Sequence, residues 1–188
     1  YVHWQPLRRD PNANLTGLEQ PSNILPNVKL GLRLLPGTRR IAIITDGSMT
    51  GRAIRRELPQ LLREIQGIEF LYLHGDDYTD EQLLQKIAGL SPDSFIIFTN
   101  WRSSLEENTG SFRLINDKIF KAAPVPVFTT MDLPPAPGVP GGFVTVGTTH
   151  GREAARLAEQ VLLGEKADSI PILPGSSAPV FDWPTLTD

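Results

Sequence analysis

From residue 40 onward the chain alternates short apolar runs with longer stretches in which apolar residues return every three or four positions. Ile41–Thr45 is apolar at successive positions, as expected for a strand in a parallel sheet covered by helices on both faces. Ile54, Leu58, Leu61, Leu62 and Ile65 follow at i, i+4, i+7, i+8 and i+11, the signature of one helix face. Pro59 lies inside that stretch and predicts a kink or a restart. Ile68–Leu73 reads as a second strand. Thr79 and Gln82 have the spacing of a capping box and open a helix carrying Leu83, Leu84, Ile87 and Leu90. Ser94–Thr99 is a third strand, Ser111 is placed to cap a helix bearing Leu114, Ile115 and Ile119, and Val125–Thr129 is a fourth strand. Upstream, Pro26 suits the first turn of a helix that carries Val28, Leu32 and Leu35 inward and stops at Pro36-Gly37.

This order predicts an α/β fold with a right-handed, doubly wound parallel sheet over residues 38–130. Beyond it, the crossing LPPAPGVPGG leads to a strand at Phe143–Val146. A helix with Ala154, Leu157, Ala158, Val161 and Leu162 on one face then ends at Gly164. A short strand at Ile170–Leu173 and a Pro/Gly tail close the chain.

Composition narrows the function. The chain has 188 residues and a net charge of −3 with no dense Lys/Arg cluster, so it lacks the basic face that nucleic acid requires. It contains no run of about 18 apolar residues of the kind that spans a bilayer. With no cysteine it has neither disulfides nor thiolate metal sites. The start, YVHWQPLRRD, has no apolar signal-peptide core and no initiator Met, and is read as the start of a piece of a longer chain. Most of the 17 prolines fall in 124–140 and 171–184, which predicts surface crossings there.

Open parallel sheets bind ligands beyond the carboxyl ends of their strands. The loops at that edge hold Asp46-Gly47-Ser48-Met49, His74-Gly75-Asp76-Asp77, Asn100-Trp101-Arg102-Ser103 and Thr130-Met131-Asp132. As a set they suit a polar organic ligand held by a few directed hydrogen bonds and an aromatic platform. Each also has a structural reading. Asp46 and Ser48 can cap the next helix, Trp101 can cover the sheet edge, and Asp132 can bind its own backbone in a turn. Sharper chemistry fits less well. GSMTGR lacks the lysine of a phosphate loop, Gly47 and Gly51 do not make a dinucleotide fingerprint, and no G-x-S-x-G is present. HGDDYTD lacks the glycine and distal glutamate of a calcium loop, and VPVFTTMD lacks the lysine of a phosphoryl-accepting receiver. Binding without catalysis, cofactor or metal is the simpler account.

The segments NLTGLEQPSNILPNVKLGLRLLPGTRRIAIITD, PVPVFTTMD, GVPGGFVTVGTTHGREAARLAEQVLLGEKADSIPI and VFDW resemble one branch of the type 1 periplasmic-binding-protein superfamily. That branch comprises substrate-binding components of ABC transporters and the extracytoplasmic sensor domains of bacterial membrane histidine kinases. The order Gly-Gly-aromatic, Gly-Arg-x-Ala-Ala, Leu-x-Gly-Glu-Lys and Ile-Pro carries most of the likeness, and VFDW looks more like the kinase-fused sensors. The resemblance implies two α/β lobes closing over a ligand, with the first lobe, roughly one hundred residues, largely missing here. It assigns 1–24 to an inter-lobe hinge segment and 25–132 to the second lobe. It assigns 133–188 to a hinge crossing, a returning strand and helix that complete the first lobe, and a tail.

Carried onto this chain, the family's cleft falls on Asp46, Ser48, Met49, His74, Asp76, Asn100, Trp101, Arg102, Met131 and Asp132. In that picture Trp101 stacks on the ligand while Arg102, Asp46, Ser48 and Asp132 supply hydrogen bonds or charge. The implied function is a non-catalytic extracytoplasmic sensor, anchored to the membrane through its parent chain. Its implied partners are a small molecule, the missing lobe and an output domain. The alternatives are a transporter's delivery protein and an α/β enzyme whose catalytic residues lie elsewhere. The late helix, lacking its first-lobe sheet, is expected to fold back on the second lobe, pair with another molecule in a homodimer, or stay exposed.

Overall fold

In the computed structural model, which describes residues 14–105, 112–132 and 139–182, strands and helices alternate along most of the chain. The elements are β1 (Leu18–Glu19), α1 (Ile24–Leu34), β2 (Arg40–Thr45), α2 (Met49–Leu61), β3 (Glu69–His74), α3 (Asp80–Ala88) and β4 (Ser94–Phe98). They continue with α4 (Phe112–Ala122), β5 (Val127–Thr129), β6 (Gly141–Val144), α5 (Gly147–Leu162), a 3-10 turn at Ala167–Ser169, β7 (Leu173–Pro174) and β8 (Ala178–Phe181). Six strands form one sheet in the order β3-β2-β4-β5-β6-β8, and β1 pairs with β7 in a small second sheet. All neighbours in the large sheet run parallel except β8, which is antiparallel to β6.

The apolar runs are explained by helices on both faces. Ile41, Ile43, Phe95, Ile97 and Phe128 pack under α1 and α2 through Ile24, Val28, Leu58 and Leu62. Ala42, Ile44, Ile96, Phe98 and Val127 pack under α3 and α4 through Leu83, Ile87, Ile115 and Ile119. Strands buried on both sides have no polar face to alternate with, which is why β2 and β4 read as continuous hydrophobic stretches. The expected capping box is complete: Thr79 Oγ1 accepts from Gln82 N, and Gln82 Oε1 accepts from Thr79 N.

Several expectations shift. Helix α1 starts at Ile24, two residues before Pro26, which still lies in the first turn where its missing N–H has no partner to lose. Helix α2 continues two residues past Pro59 without a restart. Ser111 lies outside the described residues. Leu114 faces solvent, and the inward face of α4 is Ile115, Ile119 and Phe120. Strand β6 is Gly141–Val144 rather than Phe143–Val146, and Ile170 is buried at the end of a 3-10 turn rather than in a strand. The tail contains a strand, β8, that the sequence pattern does not predict. Strands β6 and β8 extend the large sheet past β5. On helix α5 Leu157 is buried, but Ala154, Ala158, Val161 and Leu162 are exposed, so most of its apolar stripe is uncovered among the described residues.

One buried carboxamide joins the late strands to the rest. Strand β6 shares a single register pair with β5, Phe128 with Gly141. The missing ladder is replaced by Asn27 of α1, which is fully buried. Its Nδ2 donates to Asn23 O (2.8 Å), Thr129 O (3.2 Å) and Phe143 O (2.9 Å), and its Oδ1 accepts from Phe143 N (2.8 Å). Gly142 is what lets the side chain approach, since a Cβ there would collide with Asn27 Oδ1 and Thr129 O. Asn27→Leu keeps the volume but strands Phe143 N–H and the facing carbonyls, and is expected to cost about 2–4 kcal/mol by urea unfolding. Asn27→Asp, which loses the donors and turns a buried carboxylate without a counter-charge toward three carbonyl oxygens, should cost at least as much.

Candidate functional site

The turns that follow β2, β3, β4 and β5 all emerge at the carboxyl edge of the sheet, because these four strands are parallel. Three of them are tied together by main-chain hydrogen bonds. Gly47 N donates to Arg102 O (2.8 Å), Gly75 N to Thr45 O (2.9 Å) and Ser104 N to Gly75 O (2.8 Å). At the centre, a Cβ on Gly75 would collide with Arg102 O and Gly47 N, so the turns approach as closely as only glycine permits.

Side chains reinforce this junction. Asp46 is buried; its Oδ1 accepts from Ser48 Oγ (2.6 Å) and Ser48 N (3.3 Å), and its Oδ2 accepts from Asn100 Nδ2 (3.1 Å). Ser48 also caps α2 by accepting from Gly51 N (3.2 Å). Asn100 Oδ1 accepts from Trp101 N (2.8 Å). His74 is 1% exposed, and its Nδ1 accepts from Asp76 N (3.1 Å), which assigns the proton of the neutral ring to Nε2. Burial, and secondarily the Arg55 guanidinium, hold His74 below its ordinary pKa. Asp76 receives a two-pronged ion pair from Arg52 (Nε–Oδ2 2.7 Å, Nη2–Oδ1 2.7 Å) and a bond from Ser104 Oγ (2.5 Å). The Arg52 hydrogen bonds, with help from Ser104, hold the Asp76 carboxyl far below the usual carboxylate range.

The ten expected residues therefore divide. Asp46, Ser48, Asn100, His74 and Asp76 form a connected floor, with Ser48 and Asn100 half-buried at its top. Trp101 belongs to the core beneath it: it is 1% exposed, packs with Phe98 and Ile119, and donates from Nε1 to Asp80 Oδ1 (2.7 Å). The expected stacking platform is in this structure a buried structural side chain. Met49 (72% exposed), Arg102 and Asp132 stand outside the floor. Met131 is half-buried, bridged to Thr145, with its main chain held by Thr129 Oγ1 (3.0 and 3.1 Å). Sequence reasoning missed Arg52 and Ser104. The available signal was Arg52 four residues after the cap Ser48, one helical turn inward and facing the next loop. Among the described residues no group of three or more His, Asp or Glu is arranged to hold a metal ion.

Two predictions follow from this junction. Gly75→Ala is expected to lower the melting temperature by several degrees and to broaden the amide signals of Gly47 and Arg102, read by calorimetry and NMR. The second concerns pH. The native state disfavours protonated His74 and protonated Asp76, so both contribute stability that is lost on acidification. The His74 contribution falls from about pH 6.5 downward, its ordinary pKa, and that of Asp76 from about pH 3.8 downward. His74→Gln should flatten the upper step of the stability profile and Asp76→Asn the lower one.

No protein-family model and no curated protein matches the chain. Solved structures do. A conserved domain protein from Vibrio cholerae O1 biovar El Tor superposes with a TM-score of 0.67 at 15% identity, over 93% of this chain and 57% of its own. A substrate-binding protein with adhesive properties from Clostridium difficile, in a ligand-free, open structure, gives 0.65 at 15% identity, over 92% and 57%. An ABC domain in complex with L-Trp from Streptococcus pneumoniae gives 0.66 at 14% identity, over 94% and 60%. The chain thus spans under two thirds of the length of each of these structures, and over that span it has the substrate-binding-protein fold.

Proposed function

We propose that this chain is one face of a two-lobed, non-catalytic binding module that takes a small polar organic ligand at the carboxyl edge of its sheet. The observation that carries the reading is the division at that edge. A floor of groups held by internal hydrogen bonds (Asp46 and His74 buried, Asp76 part-buried) supports half-buried Ser48 and Asn100 and a rim of exposed side chains (Met49, Arg102, Asp132). A site whose supporting groups are fixed by internal hydrogen bonds is preorganised, which lowers the cost of binding. The uncovered stripe of α5 and the additional length of the similar structures support a second lobe facing this one. Binding is favoured over turnover because His74 is buried and Asp46 and Asp76 are engaged in structural hydrogen bonds.

In this reading Arg102 and Asp132 supply charge to the ligand, Ser48 and Asn100 supply hydrogen bonds, and Trp101 holds the loop rather than the ligand. The module is placed outside the cytoplasm as the sensor domain of a membrane histidine kinase, a choice that rests on the VFDW resemblance. A transporter's substrate-binding component is the second reading, favoured by the likeness to a substrate-binding protein and to an ABC domain that holds L-Trp. A membrane span and kinase module encoded after residue 188 would select the first; permease genes alongside an early stop would select the second.

Calorimetry with L-tryptophan and a panel of amino acids and sugars, on a polypeptide extended through the first lobe, tests the binding claim. A hit is expected to weaken at least about tenfold, or about 1.4 kcal/mol, in Arg102→Ala with the melting temperature unchanged. It should weaken further in the present chain alone. Equal affinity with and without the first lobe would overturn the two-lobed reading. Mass spectrometry of whatever co-purifies with the extended form would identify the ligand class.

A further inference from the structure

We propose that the outer edge of β3 is a self-association surface on which a second copy of this chain adds its own β3 in antiparallel orientation, joining two sheets into one. Strand β3 is the terminal strand of the large sheet, six residues long, with the sequence EFLYLH. It carries no proline, no lysine and no bulge against β2, with which it pairs residue for residue from Glu69 to His74, and its one carboxylate, Glu69, is ion-paired with Arg40 of β2. The opposite edge, β8, is shorter and contains Pro179.

The register with β2 determines which backbone groups are free. Glu69 N donates to Arg39 O (2.9 Å) and Gly75 N to Thr45 O (2.9 Å), so the odd-numbered residues of β3 direct their N–H and C=O groups at β2. Phe70, Tyr72 and His74 direct theirs outward. His74 O is taken by Asp77 N (2.9 Å), which leaves, among the described residues, the N–H and C=O groups of Phe70 and Tyr72 and the N–H of His74 without a main-chain partner.

An antiparallel pair needs each outward-facing residue to meet an outward-facing residue of the partner. A two-fold axis through Leu71 meets that condition: Phe70 of each copy exchanges both hydrogen bonds with Tyr72 of the other. The side chains then match. Phe70 and Tyr72 lie stacked on one face with ring centroids 6.3 Å apart, and Tyr72 is 38% exposed. Across the axis each aromatic ring would meet its unlike partner, a favourable cross-strand pairing. The two Leu71 residues would face each other at the axis. The edge is complementary to itself in main-chain register and in side chains, which is why the occupant is a second copy.

Sedimentation velocity of the unmodified chain over a concentration series tests this. The expected result is a reversible species of twice the 20.7 kDa chain mass. Tyr72→Pro removes an outward N–H without touching the β2 ladder, and should abolish that species while leaving the monomer folded by circular dichroism. Since the chain has no cysteine, Leu71→Cys introduces a single thiol. Directly opposed residues of such a pair sit close enough for a disulfide, so mild oxidation should give a covalent dimer. Glu69→Cys places its thiols four residues out of register and should not cross-link. A strictly monomeric chain, equal cross-linking of the two cysteine variants, or a dimer lost in Leu162→Glu but kept in Tyr72→Pro would overturn the proposal.

Discussion

Asn27 sits at the point where the sheet stops supporting itself. Between β5 and β6 one residue pair is in register, with one further parallel bridge, Met131 to Thr145, beyond the strand ends, a short ladder on that side of β6. The carboxamide of a helix residue supplies what the strands lack, bonding to both the N–H and the C=O of Phe143 while also reaching Thr129 O on β5. It takes the place of a strand residue in the ladder. Gly142 follows from that arrangement, because a side chain there would displace the amide. So does the left-handed Asn23, which starts α1, donates to Thr145 Oγ1 (3.1 Å) and accepts from Ser177 Oγ (2.6 Å), extending the same clasp to the end of β6 and the approach to β8. Strand β6 and the approach to β8 are tied to α1 through this group of side chains.

At the other end of the edge the constraint is different in kind. Three turns interlock by backbone hydrogen bonds around Gly47 and Gly75, and acid–hydroxyl and acid–guanidinium contacts fix the turns to α2. The charges are used in a definite way. Asp76 is part-buried with Arg52 against it, a pairing that offsets the cost of removing a carboxylate from water. His74 lies deeper and is held neutral, so the imidazole adds no charge to a place where one could not be solvated. The result is a floor with little freedom to rearrange, beneath a rim of longer and more exposed side chains.

Much of this was legible in the sequence, for identifiable reasons. The β2, β3 and β4 strands and the helices α2 and α3 were marked by period alone, and the Thr79–Gln82 capping box by two residues three apart. The four rim turns were found because parallel topology forces them to one edge. What was not legible depended on contacts between distant segments. Strand β8 contains Pro179 and has no buried face, so it carries no alternating signal and exists through pairing with β6. Trp101 and Arg102 are adjacent, and nothing local shows that one is core and the other is exposed; the Asp80 carboxylate that holds the indole lies 21 residues away. The Gly-Gly before Phe143 is visible as a motif, but its cause, an asparagine on α1, is not.

The two constraints bear together on how a ligand could be answered by movement. A body whose turns are locked by glycine contacts and whose core is packed on both faces responds to a ligand as a unit, since close-packed interiors resist gradual deformation. Displacement is then confined to where the packing is sparse. The β5–β6 passage is joined by one ladder pair, the Met131–Thr145 bridge and the Asn27 amide, and the sparsely covered element beyond it is helix α5.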